Sequence, residues 1–312
     1  MVALSNVRKS YKRNKEVYTI YGLLLFFIIL STVLDGNFLS IKNLTNIFTT
    51  NMPFIIAAYA QTIAILIGGV DLSIGASISL VTCICATTGI GDSALGVLPG
   101  IVLSLLVSMV IGLINGILVT KFNIQALIGT LAVSLVLNGC SLAILDKPGG
   151  SIAKEFAKPF ASDEMLFAIF IIITIGLWLL LNRTRLGKSI YAVGGNSLFA
   201  YSAGISVDRT KIRAFILSGA LTGLAGIMLA GSMRSGDPTA GDPLTLKALT
   251  AAVIGGASFA GGSGRIECTF AGVMIFSIIN NILNLSGVST FYQYVAQGVL
   301  LIFAIAITSR RK

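Results

Sequence analysis

Residues Ala214–Met233 read AFILSGALTGLAGIMLAGSM, a run with no charged side chain. As an α-helix it would be about 30 Å long, the thickness of a bilayer's hydrocarbon core. Four more uncharged runs of comparable length lie at Val17–Leu34, Ser93–Thr120, Phe122–Leu145 and Met165–Asn182. Of the 312 residues, 55% are hydrophobic and only 11% are charged, where soluble domains carry about 25% charged residues. The mean hydropathy is +0.93. The chain reads as an all-α, multi-span membrane protein. Its first apolar run is longer than a signal-peptide core and no small-residue cleavage site follows it, so it reads as an uncleaved span.

Working outward from these runs gives about ten transmembrane helices, near 17–34, 51–68, 72–89, 94–120, 122–145, 165–182, 214–233, 247–264, 268–287 and 289–308. An even number puts both termini on one side, and the distribution of Lys and Arg says which. With the termini cytoplasmic, the outer loops keep only Lys42, Lys147, Lys154, Lys158, Arg234 and Lys247 of the 22 basic residues, beside most of the acids. Gaining or losing one central span would erase that bias. The expected organisation is a basic cytoplasmic tail at 1–16, one transmembrane domain over 17–308 and a basic tail at 309–312. The net charge of +10 follows from the same bias and calls for no nucleic-acid partner.

Several chemistries are excluded early. The chain has no histidine, which removes the commonest metal ligand and the usual general base. The four cysteines, Cys83, Cys85, Cys140 and Cys268, all fall in apolar segments and read as small buried hydrophobes. "GKS" at Gly187–Ser189 resembles the end of a phosphate-binding loop, but Asn182 stands where that loop needs its first glycine. If ATP is used, another subunit holds it; no cofactor is expected on this chain.

Two loops are long. Asp146–Glu164 is an outer loop with Pro and Gly turn signals, and Arg183–Arg213 is an inner loop that splits the chain into halves. The inner loop's middle, "SIYAVGGNSLFAYSAGISV", is too apolar for a free linker. Gly194, Gly195 and Asn196 can turn the chain and cap a short helix from about Ser197 to Ala203, a docking element on the cytoplasmic face.

Within the membrane segments, small residues recur at helix spacing, Gly112 with Gly116 and Gly219 with Gly223, as close helix packing requires. Adjoining glycines at Gly68–Gly69 and Gly255–Gly256 read as helix breaks. Their surroundings, "LIGGVDLSIGASI" and "VIGGASFAGGSGRI", resemble each other, as do "LINGIL" and "IINNIL", although the two matches need different offsets. Paired interruptions of this kind point to two loosely related halves and to the substrate path. Amides at Gln61, Asn115, Asn138, Asn280, Asn281 and Gln297 could together line a wet, neutral cavity suited to a polyhydroxy solute.

Asp71 is the acidic residue set inside a hydrophobic stretch, among Gly68, Gly69 and Gly75. A charge at mid-helix costs roughly 2.5–3.5 kcal/mol on insertion scales. Two readings stay open at this stage. With Ser73 it caps the helix that begins there, or it contacts the solute or a coupling ion. With no histidine and no second acid at depth, a proton relay is poorly supported.

"GGVDLSIGASISL", "GLINGILV", "GGNSLFAYSAGISVDRTKI", "FILSGALTGLAGIMLAG" and "VIGGASFAGGSGRI", in this order from about residue 40 onward, resemble the membrane permeases of ABC importers for ribose, other monosaccharides and related polar solutes. Autoinducer and nucleoside permeases belong to the same family. The resemblance implies a ten-helix permease in a bacterial inner membrane, working as a homodimer or heterodimer. Its implied partners are two cytoplasmic ATP-binding subunits and an extracytoplasmic solute-binding protein. It also implies that the stretch within the 183–213 loop couples to the ATPase through Gly194, Gly195, Asn196, Ala200, Gly204 and Ile205. The chain departs from that pattern at Phe199, where a second small residue is usual. The candidate pathway residues are Gln61, Gly68, Gly69, Asp71, Ser73, Asn115, Gly255, Gly256 and Asn281.

The expected function is therefore import of a sugar, ribose or another monosaccharide, with ATP hydrolysis on a separate subunit. A permease for a nucleoside, an autoinducer or another polar solute is the alternative within the class. A stand-alone secondary transporter would want more buried acid–base residues, and a membrane enzyme lacks a nucleophile with its base.

Overall fold

In a computed structural model of the chain, the described residues are 15–88, 94–289, 291–293, 295–299 and 302. They form thirteen helices: α1 Lys15–Leu34, α2 Ile41–Thr50, α3 Met52–Leu66, α4 Ile74–Thr88, α5 Ala94–Thr120, α6 Ala126–Ile144, α7 Lys154–Ala161, α8 Asp163–Arg183, α9 Arg185–Gly195, α10 Ser197–Ser202, α11 Val207–Met233, α12 Asp242–Ile254 and α13 Ile266–Leu285. No strand occurs among them. Of the two expected tails, only Lys15 and Glu16 are described, and both belong to α1. Half of the expected span 289–308 lies outside the described residues, and those described at 291–293, 295–299 and 302 are helical.

The helices are apolar, and their scattered hydroxyls are met locally. Ser31, Thr62, Ser108, Ser141 and Thr222 each donate to the carbonyl four residues back, at 2.6–2.9 Å. Such back-bonding removes the cost of a bare hydroxyl in lipid. Six helices (α1, α5, α6, α8, α11 and α13) are long and apolar enough to cross a bilayer. Helices α2 and α3 meet at a 48° bend and make a seventh span if counted as one.

Two expected spans come out shorter. Helix α4 has 15 residues and α12 has 13, about 22 and 20 Å of helix against a core of about 30 Å. The expected crossing at 247–264 is corrected here: the helix stops at Ile254, and 255–265 is irregular backbone. Helix α3 ends in the same way. Gly68 (φ 76°) and Gly256 (φ 89°) adopt the left-handed conformation that closes a helix, and only glycine adopts it cheaply. The two glycine pairs are out of step by one residue, since the left-handed position is the first glycine of one pair and the second of the other.

The two long loops also hold structure that periodicity misses. Helix α7 lies in the 146–164 loop and α9 in the 183–213 loop. Both are short and amphipathic, α9 being capped by Thr184, and neither has the length of a span.

Helix α3 is the centre of the molecule: all its residues from Met52 to Leu66 are buried. A helix apolar on every face belongs in an interior. Around it pack α11, α12, α13 and α8, whereas α1, α6 and α8 turn large side chains such as Val33, Leu135 and Ile172 outward. In water that surface would be an adhesive patch; in lipid it is the expected exterior. Cys140 is exposed on α6, so the expectation of burial fails for it, while Cys83, Cys85 and Cys268 are buried. Helices α5 and α11 interlock through their glycines. A Cβ on Gly219 would enter the carbonyl of Ser108 and lie 3.2 Å from the Cα of Gly112. The two small-residue motifs therefore face each other, backbone against backbone.

Candidate functional site

The chain between α3 and α4 is a turn tied on every side. Asp71 is buried, and its Oδ1 accepts the Ser73 N–H at 2.9 Å and the Ser73 hydroxyl at 2.6 Å. From α5, the Asn115 side-chain amide donates to Ser73 Oγ at 2.8 Å and stands 3.5 Å from Asp71 Oδ1, at the limit of a hydrogen bond. From α6, Thr130 Oγ1 accepts the Leu72 N–H at 2.9 Å and bonds the Val70 carbonyl at 3.1 Å. The carboxylate thus holds the turn that starts α4, which is the geometry of a cap.

A second irregular segment, 255–265, meets this one. The Gly262 N–H donates to the carbonyl of Leu66, the last residue of α3, at 2.9 Å. Gly194, near the end of α9, fits against the same carbonyl so closely that any Cβ there would overlap it, and the Gly262 nitrogen would lie 2.6 Å from that Cβ. Tyr191, one turn earlier on α9, donates its hydroxyl to the Gly264 carbonyl at 2.9 Å. Burial pushes the Tyr191 phenol up to about 12, so it stays protonated and able to donate. Three backbones therefore converge: the end of α3, the end of α9 and the loop before α13.

Helix α10 projects from that junction. Asn196 caps it, its side-chain oxygen accepting the N–H groups of Leu198 and Phe199, each at 3.0 Å. At the far end Gly204 takes φ 82°, and the Ile205 N–H reaches back to the Ala200 carbonyl at 3.0 Å. Ala200 faces inward, while Leu198, Phe199 and Tyr201 are each more than 70% exposed. A helix this short is rarely stable alone; here two caps and a buried alanine fix it while its large side chains stay free.

A polar cavity of about 260 Å³ lies between α2, the start of α12, the end of α13 and the chain after it. Asn46, Asn51, Asn280, Asn281, Gln293 and Gln297 contribute amides to its wall, and Lys247 contributes a cation. Gln297 donates to Asn280 at 3.3 Å, and Asn281 donates to Asn43 Oδ1 at 3.2 Å.

The six amides expected to act together are divided. Asn280, Asn281 and Gln297 share this cavity. Asn115 serves the Asp71 turn instead, Gln61 is buried in α3 with neither polar atom bonded, and the Asn138 carbonyl oxygen on α6 is likewise unbonded. The expectation of a neutral cavity is also corrected, because Lys247 sits in its wall. Sequence reasoning missed Asn46, Asn51 and Lys247: Asn46 and Lys247 were read as outer-loop residues but lie within helices α2 and α12, and Asn51 was read as the start of a span but is the N-cap residue of α3. Gly255 and Gly256 shape the second break and stand near α13, where a Cβ on Gly255 would lie 2.6 Å from the Cys268 carbonyl.

The arrangement defines a multi-pass helical membrane protein with broken central helices, a polar chamber and a short helix with exposed apolar side chains. Comparison with known proteins places it further. The family described as branched-chain amino acid transport system / permease component matches residues 43–305. The chain belongs to that family. It is 34% identical over 310 residues to the ribose import permease protein RbsC of Escherichia coli K12, covering 95% of this chain and 94% of the relative. It is 34% identical over 299 residues to the D-allose transport system permease protein AlsC of the same strain, covering 93% and 90%. It is 32% identical over 322 residues to the galactose/methyl galactoside import permease protein MglC, covering 96% and 95%. No solved structure matches the chain.

Proposed function

We propose that this chain is the permease subunit of an ATP-driven, binding-protein-dependent sugar importer of the bacterial inner membrane, with a monosaccharide such as ribose as the class of solute. The observation that carries the reading is α10, whose caps and buried Ala200 hold Leu198, Phe199 and Tyr201 away from the rest of the protein. An exposed apolar triplet on a rigid helix suits a groove on another protein, here a cytoplasmic ATP-binding subunit. The relatives' names, which are those of ribose, allose and galactose import permeases, support the solute class.

In this reading Gly194, Gly195, Asn196, Ala200, Gly204 and Ile205 form the coupling element, and both termini are cytoplasmic. Two permease chains form the pathway between them. Asn281 lines the entry chamber, while Gln61, Gly68, Gly69, Asp71, Ser73, Asn115, Gly255 and Gly256 shape the broken helices behind it. The experiment is reconstitution into liposomes with an ATP-binding protein and a solute-binding protein of the same importer class. Uptake of labelled ribose, allose or galactose that requires all three proteins and internal ATP supports the reading; uptake that persists without the ATP-binding protein refutes it.

A further inference from the structure

Lys247 is the charged residue in the wall of the amide-lined cavity. It is partly buried, and among the described residues its ammonium has no hydrogen bond or ion pair. Among the described residues no acid lies in the cavity wall, and the sequence from Ser286 to Lys312 contains none. Burying a cation without a counter-charge is unfavourable, and a bound anion removes that penalty.

The neighbouring polar atoms are already partly committed. Gln293 spends its amide hydrogens on Asn284 and the Val288 carbonyl, and Gln297 spends one on Asn280. Thr50 donates to Asn46 Oδ1 at 3.2 Å, a bond that uses the oxygen and leaves the Asn46 amide hydrogens unspent. The Ser277 hydroxyl is buried and has no hydrogen-bond partner among the described residues. What remains is a mixture of donors and acceptors around one positive charge, a set that matches hydroxyls together with one anionic group.

We infer that this cavity is a subsite for a polyhydroxylated monocarboxylate, a sugar acid, with Lys247 pairing its carboxylate and the surrounding amides and Ser277 meeting its hydroxyls. A phosphorylated sugar fits less well, since a phosphate carries about −1.5 to −2 at neutral pH and a single ammonium would leave charge uncompensated. The cavity is also smaller than the roughly 300–1,000 Å³ of drug-sized sites, which suits a solute of one sugar unit. This rests on the importer reading above and narrows its solute.

The test uses the complete importer in liposomes, with D-ribose and D-ribonate, and D-galactose and D-galactonate, as paired probes. The expected result is ATP-dependent uptake of at least one acid. Lys247→Met should cut that uptake tenfold or more, and Lys247→Arg should retain at least half. Neutral probes should be unaffected by Lys247→Met or carried faster. Gel-filtration profiles matching the unaltered complex guard against misfolding. Uptake of neutral sugars alone, unchanged by Lys247→Met, overturns the inference and leaves the importer reading standing. An equal loss for acid and neutral probes also overturns it, since the lysine would then serve contact with the solute-binding protein. No uptake of any probe overturns both.

Discussion

The Gly262 N–H donates to the Leu66 carbonyl at 2.9 Å, joining the loop before α13 to the end of α3. The last three carbonyls of α3 are thereby all satisfied: Ala64 by Gly69, Ile65 by Gly68 and Leu66 by Gly262. Helix ends in membranes need such partners, because no water is at hand to supply them. Gly194 of α9 closes over the same carbonyl. Helix α10, which begins three residues after Gly194, is therefore joined to the two broken helices by close backbone packing, with the Tyr191 hydroxyl on the Gly264 carbonyl beside it.

Gly194→Ala tests that seat. Its Cβ would overlap the Leu66 oxygen, and overpacking of this kind costs about 1–3 kcal/mol. Gly195→Ala is the control: Gly195 takes part through its backbone, which lies against Gly262, and a Cβ there meets nothing within 4 Å. The expected outcome is that Gly194→Ala lowers ATP-driven uptake at least tenfold while the ATP-binding subunit still co-purifies, and Gly195→Ala leaves uptake within twofold. Equal behaviour of the two variants would remove the junction from the coupling route.

Asp71→Asn and Asp71→Leu separate the cap from a charge role. Asn keeps an oxygen that accepts the Ser73 N–H and hydroxyl, whereas Leu leaves both donors and Asn115 facing an apolar group. Loss of a capping side chain costs about 0.5–2 kcal/mol. In detergent, Asp71→Leu should therefore melt several degrees below the unaltered protein and Asp71→Asn close to it. Uptake should follow the same order. Matching losses of uptake in the two, with stability unchanged, would show that the charge itself is used.

Much of this was legible in the sequence, for a physical reason. Long uncharged runs have one solution in lipid, so α1, α5, α8 and α11 sit close to where hydropathy places them. The capping helix at 197–202 was readable from Gly194, Gly195 and Asn196 because turn chemistry is local. Helices α2, α7 and α9 were not, since each is short and amphipathic and relies on packing for its stability. The cavity was only half legible. Asn280, Asn281 and Gln297 announce themselves as amides inside apolar runs, but Asn46 and Asn51 lie about 230 residues before Asn280 in the chain and Lys247 about 30. Nothing in their own neighbourhoods marks them. Gln61 and Asn115 carry the same amide signal, and only packing sends them elsewhere.

Helices α5 and α11 should separate when Gly219 gains a branched side chain. Gly219→Val would drive a Cβ into the Ser108 carbonyl and force the Gly112 backbone away. Without a hydrophobic drive between helices in lipid, close backbone approach is a main source of their association. The variant should insert but yield little monodisperse protein on gel filtration, whereas Gly139→Val, where a Cβ meets nothing within 4 Å, should purify normally.

Phe199→Asp tests the docking reading most directly, because the side chain is exposed and contributes nothing to the permease core. Phe199 is 72% exposed, and its backbone N–H keeps its bond to Asn196 whatever side chain it carries. The fold should therefore be untouched and the melting temperature unchanged. A carboxylate placed in an apolar groove would lose the buried phenyl and add an unpaired charge, and truncated interface anchors cost about 2 kcal/mol or more. Co-purification of the ATP-binding subunit should then fall at least tenfold, and uptake with it. Phe199→Leu should restore most of both, since it returns apolar area without the ring. If the ATP-binding subunit stayed bound to Phe199→Asp at full yield, α10 would not be its seat, and the exposed triplet would need another partner.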